Sequence, residues 1–296
     1  MTITGRTKVY GVLANPVGHS LSPQLHASLA KEMGLNMVYV PLQTPVEQVG
    51  EAIAGAYDMN FQGMNATLPH KVALIPFLKD IDPDAAAIGA VNTLVRVEGG
   101  YKGYNTDVPG LKLALEEAGI SLAGKPVIIL GAGGAANAAA YLAAKEQAAE
   151  IFLLNRTIEK AEALAAFVKT HFPEQQVTPL TLADWTKLPQ KKYVVLQTTS
   201  VGMWPKTGAA PIEDDGFYEL VEEAYDIIYT PEETEFLRRV RMAGGHGVSG
   251  LSMLLYQGVV AFEHWTDLTV SKEAAQATFA VLQEEAAKQE KQSIAK

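Results

Sequence analysis

The run from Val127 to Lys145 constrains this chain more than any other. Four apolar residues, Val127 to Leu130, read as a short buried strand. Gly131, Ala132, Gly133, Gly134, Ala135 and Ala136 follow at once, and an alanine-rich helix continues to about Lys145. These six small residues fit G-x-G-x-x-[G/A] with a strand before and a helix after, the two contexts that give the pattern its meaning. Gly131 permits a tight turn, Gly133 lets a ligand approach the backbone, and Ala136 lets helix and strand pack closely. Free N–H groups at the helix start suit a pyrophosphate, so the unit predicts a dinucleotide site. The plainer alternative is a glycine-rich turn that only packs strand on helix.

The following strand, Ile151 to Leu154, bears on which dinucleotide. An acidic residue at its carboxyl end would bind the ribose 2′-hydroxyl of NAD. Glu150 lies at the wrong end, whereas the carboxyl end carries Asn155, Arg156 and Thr157. A guanidinium binds phosphate oxygens through paired donors, so this cluster favours NADP over NAD. Alternatively, Asn155 and Thr157 turn the chain and cap the helix from Glu159 to about Lys169, with Arg156 solvated.

The same alternation of strand and helix extends over most of the chain and predicts an α/β fold with crossover connections and a largely parallel sheet. Lys8 to Ala14 reads as a strand, and Ser22 with Pro23 as the N-cap and first-turn proline of a helix that Gly34 closes. A strand over Val38 to Leu42, a helix over Val46 to Tyr57 and a strand over Phe61 to Thr67 follow. Val91 to Glu98 and Tyr101 to Tyr104 form a hairpin across Gly99 and Gly100. With those glycines as a two-residue loop, Asn92 faces Asp107. Pro109 and Gly110 open a helix that Gly119 ends. Tyr193 to Gln197 and Ala224 to Ile228 are short strands, and helices span Leu251 to about Phe262 and Lys272 to Ala287.

Composition narrows the chemistry. The 296 residues contain no cysteine, which excludes disulfides, thiol nucleophiles and thiolate metal sites. The net charge of −9 opposes general nucleic-acid binding. No apolar run is long enough for a membrane helix, and the first residues lack the pattern of a secretory signal. A soluble, cytoplasmic protein is expected, as a monomer or homodimer. The six histidines, at 19, 26, 70, 171, 246 and 264, show no metal-ligand spacing and are read as structural or solvated, with no metal expected. Phe262 and Trp265 are expected in the core.

Polar clusters gather where the first strands end or turn: Asn15 to Pro23, Asn65 to Lys71, Gly89 to Thr93 and Gly103 to Asp107. In an open α/β sheet such ends face the ligand crevice, and amides with hydroxyls suit a small polyhydroxylated molecule. At these residues the chain closely resembles the shikimate dehydrogenase family. NPVGHSLSP, NATLPHK, GAVNT, GYNTD, GAGGAA, NRT and TTSVGM occur in the family's order, then Tyr229, GLSMLLYQG and AFEHWT, covering about Val9 to Thr266.

The resemblance implies NADP-linked interconversion of 3-dehydroshikimate and shikimate on the route to chorismate and aromatic amino acids. It implies Ser20 and Ser22 at the substrate carboxylate, with Tyr229 near it, and Asn65, Thr67, Asn92, Asp107 and Gln257 at ring hydroxyls. Lys71 and Asp107 would form the proton-transferring pair. Gly131, Ala132, Gly133, Gly134 and Ala135 would meet the pyrophosphate, Asn155, Arg156, Thr157 and Lys160 the adenosine phosphate, and Ile227 and Gly250 the nicotinamide. The expected domains are a substrate domain over 1–107, a Rossmann-type doubly wound NADP domain over 108–250, and C-terminal helices over 251–296 that return to the first, with substrate in the cleft.

Hydride leaves a carbinol carbon only as its hydroxyl proton departs, so a proton carrier must touch that oxygen. On capping grounds alone Ser22 is explained by its helix, which leaves Ser20 the better functional candidate. The chain departs from the family at Asn137, where arginine is usual, at Gln197 for asparagine, at Ala66 for valine and at Asp267 for glycine. Asn137 removes one phosphate-binding cation and keeps an NAD-linked quinate/shikimate dehydrogenase as the rival. A non-catalytic ligand sensor is the rival of another class, against which Lys71 and Asp107 stand.

Overall fold

The computed structural model describes residues 2–18 and 20–294; His19 lies outside them. The chain divides into two compact units, Met1–Gly110 with Leu255–Ala287, and Leu111–Leu254 with Lys288–Lys296.

In the first unit, β1 (Lys8–Ala14), α1 (Ser22–Glu32), β2 (Met37–Gln43), α2 (Val49–Asp58) and β3 (Phe61–Ala66) alternate as the hydrophobic pattern predicts. A single-turn α3 (His70–Ala73), the two-residue β4 (Asp80–Ile81) and α4 (Pro83–Ile88) follow, then β5 (Thr93–Val97) and β6 (Gly100–Tyr104). The sheet order is β2-β1-β3-β5-β6-β4. Its first three strands are parallel, but β5 runs antiparallel to both β3 and β6. The sheet is therefore mixed, because a tight hairpin can join only antiparallel neighbours. Met64, Leu74, Leu94 and Tyr101 are among the buried residues of its core.

The hairpin differs in register from the expectation. Val97 pairs with Gly100 and Thr93 with Tyr104, so the loop is Glu98–Gly99 rather than Gly99–Gly100. Gly99, at φ +80°, is the left-handed residue of the loop, while Gly100, at φ +154°, already sits in the ladder. Asp107 is consequently not a strand partner of Asn92. It opens α5 (Asp107–Glu117), two residues before the expected Pro109.

The second unit is wholly parallel in its described pairings. It contains β7 (Pro126–Leu130), α6 (Gly134–Lys145), β8 (Glu150–Asn155), α7 (Ile158–His171), β9 (Val177–Thr181) and β10 (Tyr193–Gln197). The short α8 (Asp215–Tyr218), β11 (Val221–Asp226), α9 (Glu235–Met242) and β12 (His246–Ser249) complete it. The order β12-β11-β10-β7-β8-β9 reverses direction beside β7, so the glycine turn after β7 lies at the topological switch point. The helices α10 (Leu251–Thr266) and α11 (Lys272–Ile294) close the chain. Phe262 is buried and Trp265 nearly so, the latter donating from its indole Nε1 to Leu94 O at 2.9 Å. No described helix is long and apolar enough to cross a membrane.

Candidate active site

The end of β3 delivers Asn65, and the segment after it delivers Thr67 and then Lys71 on α3. Lys71 is held by its own backbone, since its carbonyl accepts the Val91 N–H at 2.9 Å just before β5 begins. Its Nζ reaches Asp107 Oδ2 at 2.6 Å, and Asn92 Nδ2 donates to Asp107 Oδ1 at 2.9 Å. The two side chains of the ion pair are 25% and 14% exposed, so both are half-withdrawn from water yet reachable. Asp107 sits there because Asn105 Oδ1 accepts its N–H and Asn92 Oδ1 accepts the Thr106 N–H, which fold the chain from β6 into α5. An ammonium has three donor protons, and Asp107 engages one of them.

Asn65, expected at a ring hydroxyl, is also hydrogen-bonded within the protein. Its Oδ1 accepts Tyr39 OH at 2.7 Å and meets His26 Nε2 at 3.1 Å, while its Nδ2 donates to Asn92 O and Thr93 Oγ1. All four hydrogen-bonding positions of this amide are taken inside the protein, and it is 6% exposed. It braces β3 against β5.

Ser20 and Ser22 also exchange the roles read from capping. Leu21 is the N-cap of α1, already in right-handed helical geometry, and no side chain caps the helix there. Ser20 Oγ accepts the Ser22 N–H at 3.2 Å, so Ser20 shapes the turn, while the Ser22 side chain lies beside the Tyr39 hydroxyl. Burial drives the Tyr39 hydroxyl well above its usual range and the His26 imidazole down to about 3, so both are neutral donors or acceptors in this network. Tyr39, Asn65, Asn92, Asp107 and Lys71 thus form one connected polar chain, with Ser20 and Ser22 beside its Tyr39 end. Tyr39 was not singled out from the sequence, Thr93 and Thr106 lay in the polar clusters without a role of their own, and His26 was read as structural or solvated. His26 lies one helical turn from Ser22, at the i,i+4 spacing that shares a helix face. Gln257 is half-buried on α10, where Gly110 approaches its backbone so closely that an added Cβ would lie 2.7 Å from its nitrogen.

In the second unit Gly131 adopts φ +115°, and an added Cβ would meet Thr198 Oγ1 at 2.7 Å. Around Gly133 and Gly134 an added Cβ would find nothing within 4 Å, so the start of α6 opens onto free space. The first helical bond there runs from Asn137 N–H to Gly133 O, which leaves the N–H groups of Gly134, Ala135 and Ala136 ahead of it. Ala132 precedes them in the turn, and Ala136 is fully buried against the sheet. The cradle fits a pyrophosphate.

Asn155 Nδ2 donates to Thr157 O at 2.8 Å and shapes the turn after β8. Thr157 is the N-cap of α7, yet its side chain makes no capping bond. Arg156 and Lys160 are exposed beside it, so a phosphate at this turn would find a guanidinium, an ammonium and a helix N-terminus. Asn137 is half-buried on the first turn of α6. Ile227 and Gly250 are in contact: an added Cβ at Gly250 would overlap Ile227 O at 2.2 Å. Tyr229 follows, half-buried, its hydroxyl pushed up from the ordinary tyrosine value by burial. Among the described residues no three His, Asp or Glu side chains gather to hold a metal ion.

Residues 12–94 match the shikimate dehydrogenase substrate binding domain, 112–202 the shikimate / quinate 5-dehydrogenase family and 250–278 the shikimate 5′-dehydrogenase C-terminal domain. A shikimate dehydrogenase (NADP+) of Carboxydothermus hydrogenoformans is 40% identical over 274 residues, covering 91% of this chain and 95% of that protein. This chain belongs to the shikimate dehydrogenase family. A second relative, the shikimate dehydrogenase (NADP+) of Moorella thermoacetica, is 43% identical over 89% of this chain and 90% of its own length. A shikimate dehydrogenase crystallised with NADP+ superposes with a TM-score of 0.87 at 35% identity, covering 96% of this chain and 98% of that one.

Proposed function

We propose that this protein is an NADP-dependent shikimate dehydrogenase that interconverts 3-dehydroshikimate and shikimate, with the first unit taking the cyclic acid and the second the dinucleotide. The observation that carries the reading is the Lys71 Nζ–Asp107–Asn92 chain, a proton carrier clamped between two strand ends and a helix start. Bound NADPH supplies the hydride. As the ring carbonyl becomes a carbinol its oxygen takes up a proton, and Lys71 Nζ is the group that delivers it. Asp107 orients the lysine, and Asn92 fixes the second carboxylate oxygen so that Asp107 cannot rotate away. Ser20, Ser22 and Tyr229 bind the substrate carboxylate, while Asn65, Thr67, Asn92, Asp107 and Gln257 take ring hydroxyls. Asn155, Arg156, Thr157 and Lys160 hold the 2′-phosphate, and Ile227 with Gly250 flank the nicotinamide. The same reading places the enzyme in the cytoplasm as a monomer or homodimer, with no nucleic-acid or membrane partner.

An absorbance assay at the nicotinamide band, crossing shikimate and quinate with NADP+ and NAD+, tests it. Shikimate with NADP+ should be the fastest pair, and Lys71→Ala should lose about 10²–10⁴-fold in kcat while its circular dichroism is unchanged. A folded Lys71→Ala variant within tenfold of wild type overturns the mechanism. Fastest turnover of quinate with NAD+ would favour the rival that Asn137 raises, and binding of shikimate without any nicotinamide oxidation or reduction would indicate a sensor.

A further inference from the structure

Asp226 is a fully buried carboxyl that none of the roles above uses. It ends β11, in register with Gln197 of β10 on one side and Ser249 of β12 on the other. Three donors converge on it. Oδ1 accepts the Ile228 N–H at 3.0 Å and Gln197 Nε2 at 3.3 Å, and Oδ2 accepts Thr234 Oγ1 at 2.6 Å. Thr234 Oγ1 in turn accepts the Leu237 N–H as the N-cap of α9. The carboxylate therefore pins both ends of the segment between β11 and α9.

That segment carries Ile227 and Tyr229. The Ile228 peptide is gripped from both sides, its N–H by Asp226 and its carbonyl by the Gly250 N–H at 3.0 Å, while the Ile227 N–H donates to Gln197 O. Gly250 lies so close to Ile227 that a small tilt of this peptide moves both. An apolar residue would fill the position without desolvating a charge, and burial pushes this carboxyl up to about 7. What an apolar residue could not do is accept three hydrogen bonds from a strand end, a loop and a helix cap.

We infer that Asp226 is a positioning residue, fixing the Ile227–Ile228 backbone and with it the surface that Ile227 and Gly250 present to the nicotinamide ring. The inference rests on the dinucleotide reading of the second unit, and binding rather than turnover separates the two. Calorimetric titration would use full-length Asp226→Asn and Thr234→Val with two probes, NADPH and 2′-phospho-ADP-ribose, which lacks the nicotinamide. Both variants should bind NADPH about tenfold more weakly and the fragment within about twofold of wild type, with kcat lowered about tenfold. Thr234→Ser, which keeps the hydroxyl, should restore NADPH binding. Should Asp226→Asn fail to fold by circular dichroism, Thr234→Val with its serine rescue decides the question. Equal weakening of both probes, or unchanged NADPH binding, overturns the inference. Wild-type protein that binds neither probe overturns the dinucleotide reading, and the inference with it.

Discussion

The side chain of Arg156 is where a single residue should separate two cofactors. It is exposed on the turn after β8, beside an N-cap that no side chain satisfies. A hydrogen bond to a charged group contributes about 1.5–3 kcal/mol, so Arg156→Ala should raise the KM for NADP+ about 10–100-fold. The KM for NAD+, which has no 2′-phosphate, should move less than about threefold. Initial-rate kinetics with both cofactors check this, and equal shifts would remove the phosphate role. At the same scale, Asn65 and Ser22 show where residue identity is not enough. Both carry the right chemistry in the sequence, but what each has left to offer depends on Tyr39, a strand residue with nothing in its neighbourhood to distinguish it from core.

Elements were legible wherever the period of the hydrophobic pattern was clear, and the misses have specific causes. Pro179 argues against a strand, yet β9 tolerates it because it is an edge strand, with one side free of the ladder. The four-residue β12, on the opposite edge, contains Gly247 and shows no alternation. The hairpin was visible as a hairpin, but paired glycines fit more than one loop register. The two registers differ by two residues and keep Leu94 and Tyr101 on the same buried face, so the hydrophobic pattern does not separate them. The contact of α5 with α10 supplies a test of sign. Alanine is the better helix former by about 1 kcal/mol, so propensity alone has Gly110→Ala stabilising. An added Cβ, however, would lie 2.7 Å and 2.8 Å from Gln257 N and Cα, backbone atoms that cannot rotate aside. Overpacking of this kind costs about 1–3 kcal/mol, so urea denaturation should find the variant less stable than wild type.

For the molecule as a whole, two buried titratable groups should oppose each other in the pH dependence of stability. His26, in the first unit, falls to about 3 from 6.5, so below pH 6.5 the unfolded chain binds a proton that the fold refuses. Its contribution rises with pH between about 3 and 6.5. Asp226, in the second, climbs from 3.8 to about 7, so the fold holds a proton that the unfolded chain has lost. Its contribution is full below pH 3.8 and declines as pH rises to about 7, by about 4 kcal/mol in all. Between pH 4 and 6.5 the two slopes run against each other. Asp226→Asn removes the falling one, so urea denaturation of this variant should show stability climbing across that interval more steeply than wild type. Parallel pH curves for the two proteins would mean that Asp226 stays ionised in the fold.

The candidacy of Lys71 and Asp107 came from the family resemblance of the motifs that hold them, whereas periodicity, turn chemistry and the small-residue run after Leu130 determined, from sequence alone, the α/β class, most strands and helices and the dinucleotide cradle. These are short-range signals, carried within one turn or one strand-helix unit. Tertiary structure decided how the polar groups pair: that Lys71 and Asp107 meet at 2.6 Å, that Asn65 joins Tyr39 to Thr93, and that Asp226 is buried under three donors. The physical reason is that a polar group's hydrogen-bond partners and burial come from segments far away in sequence, and no local pattern records which donor will arrive.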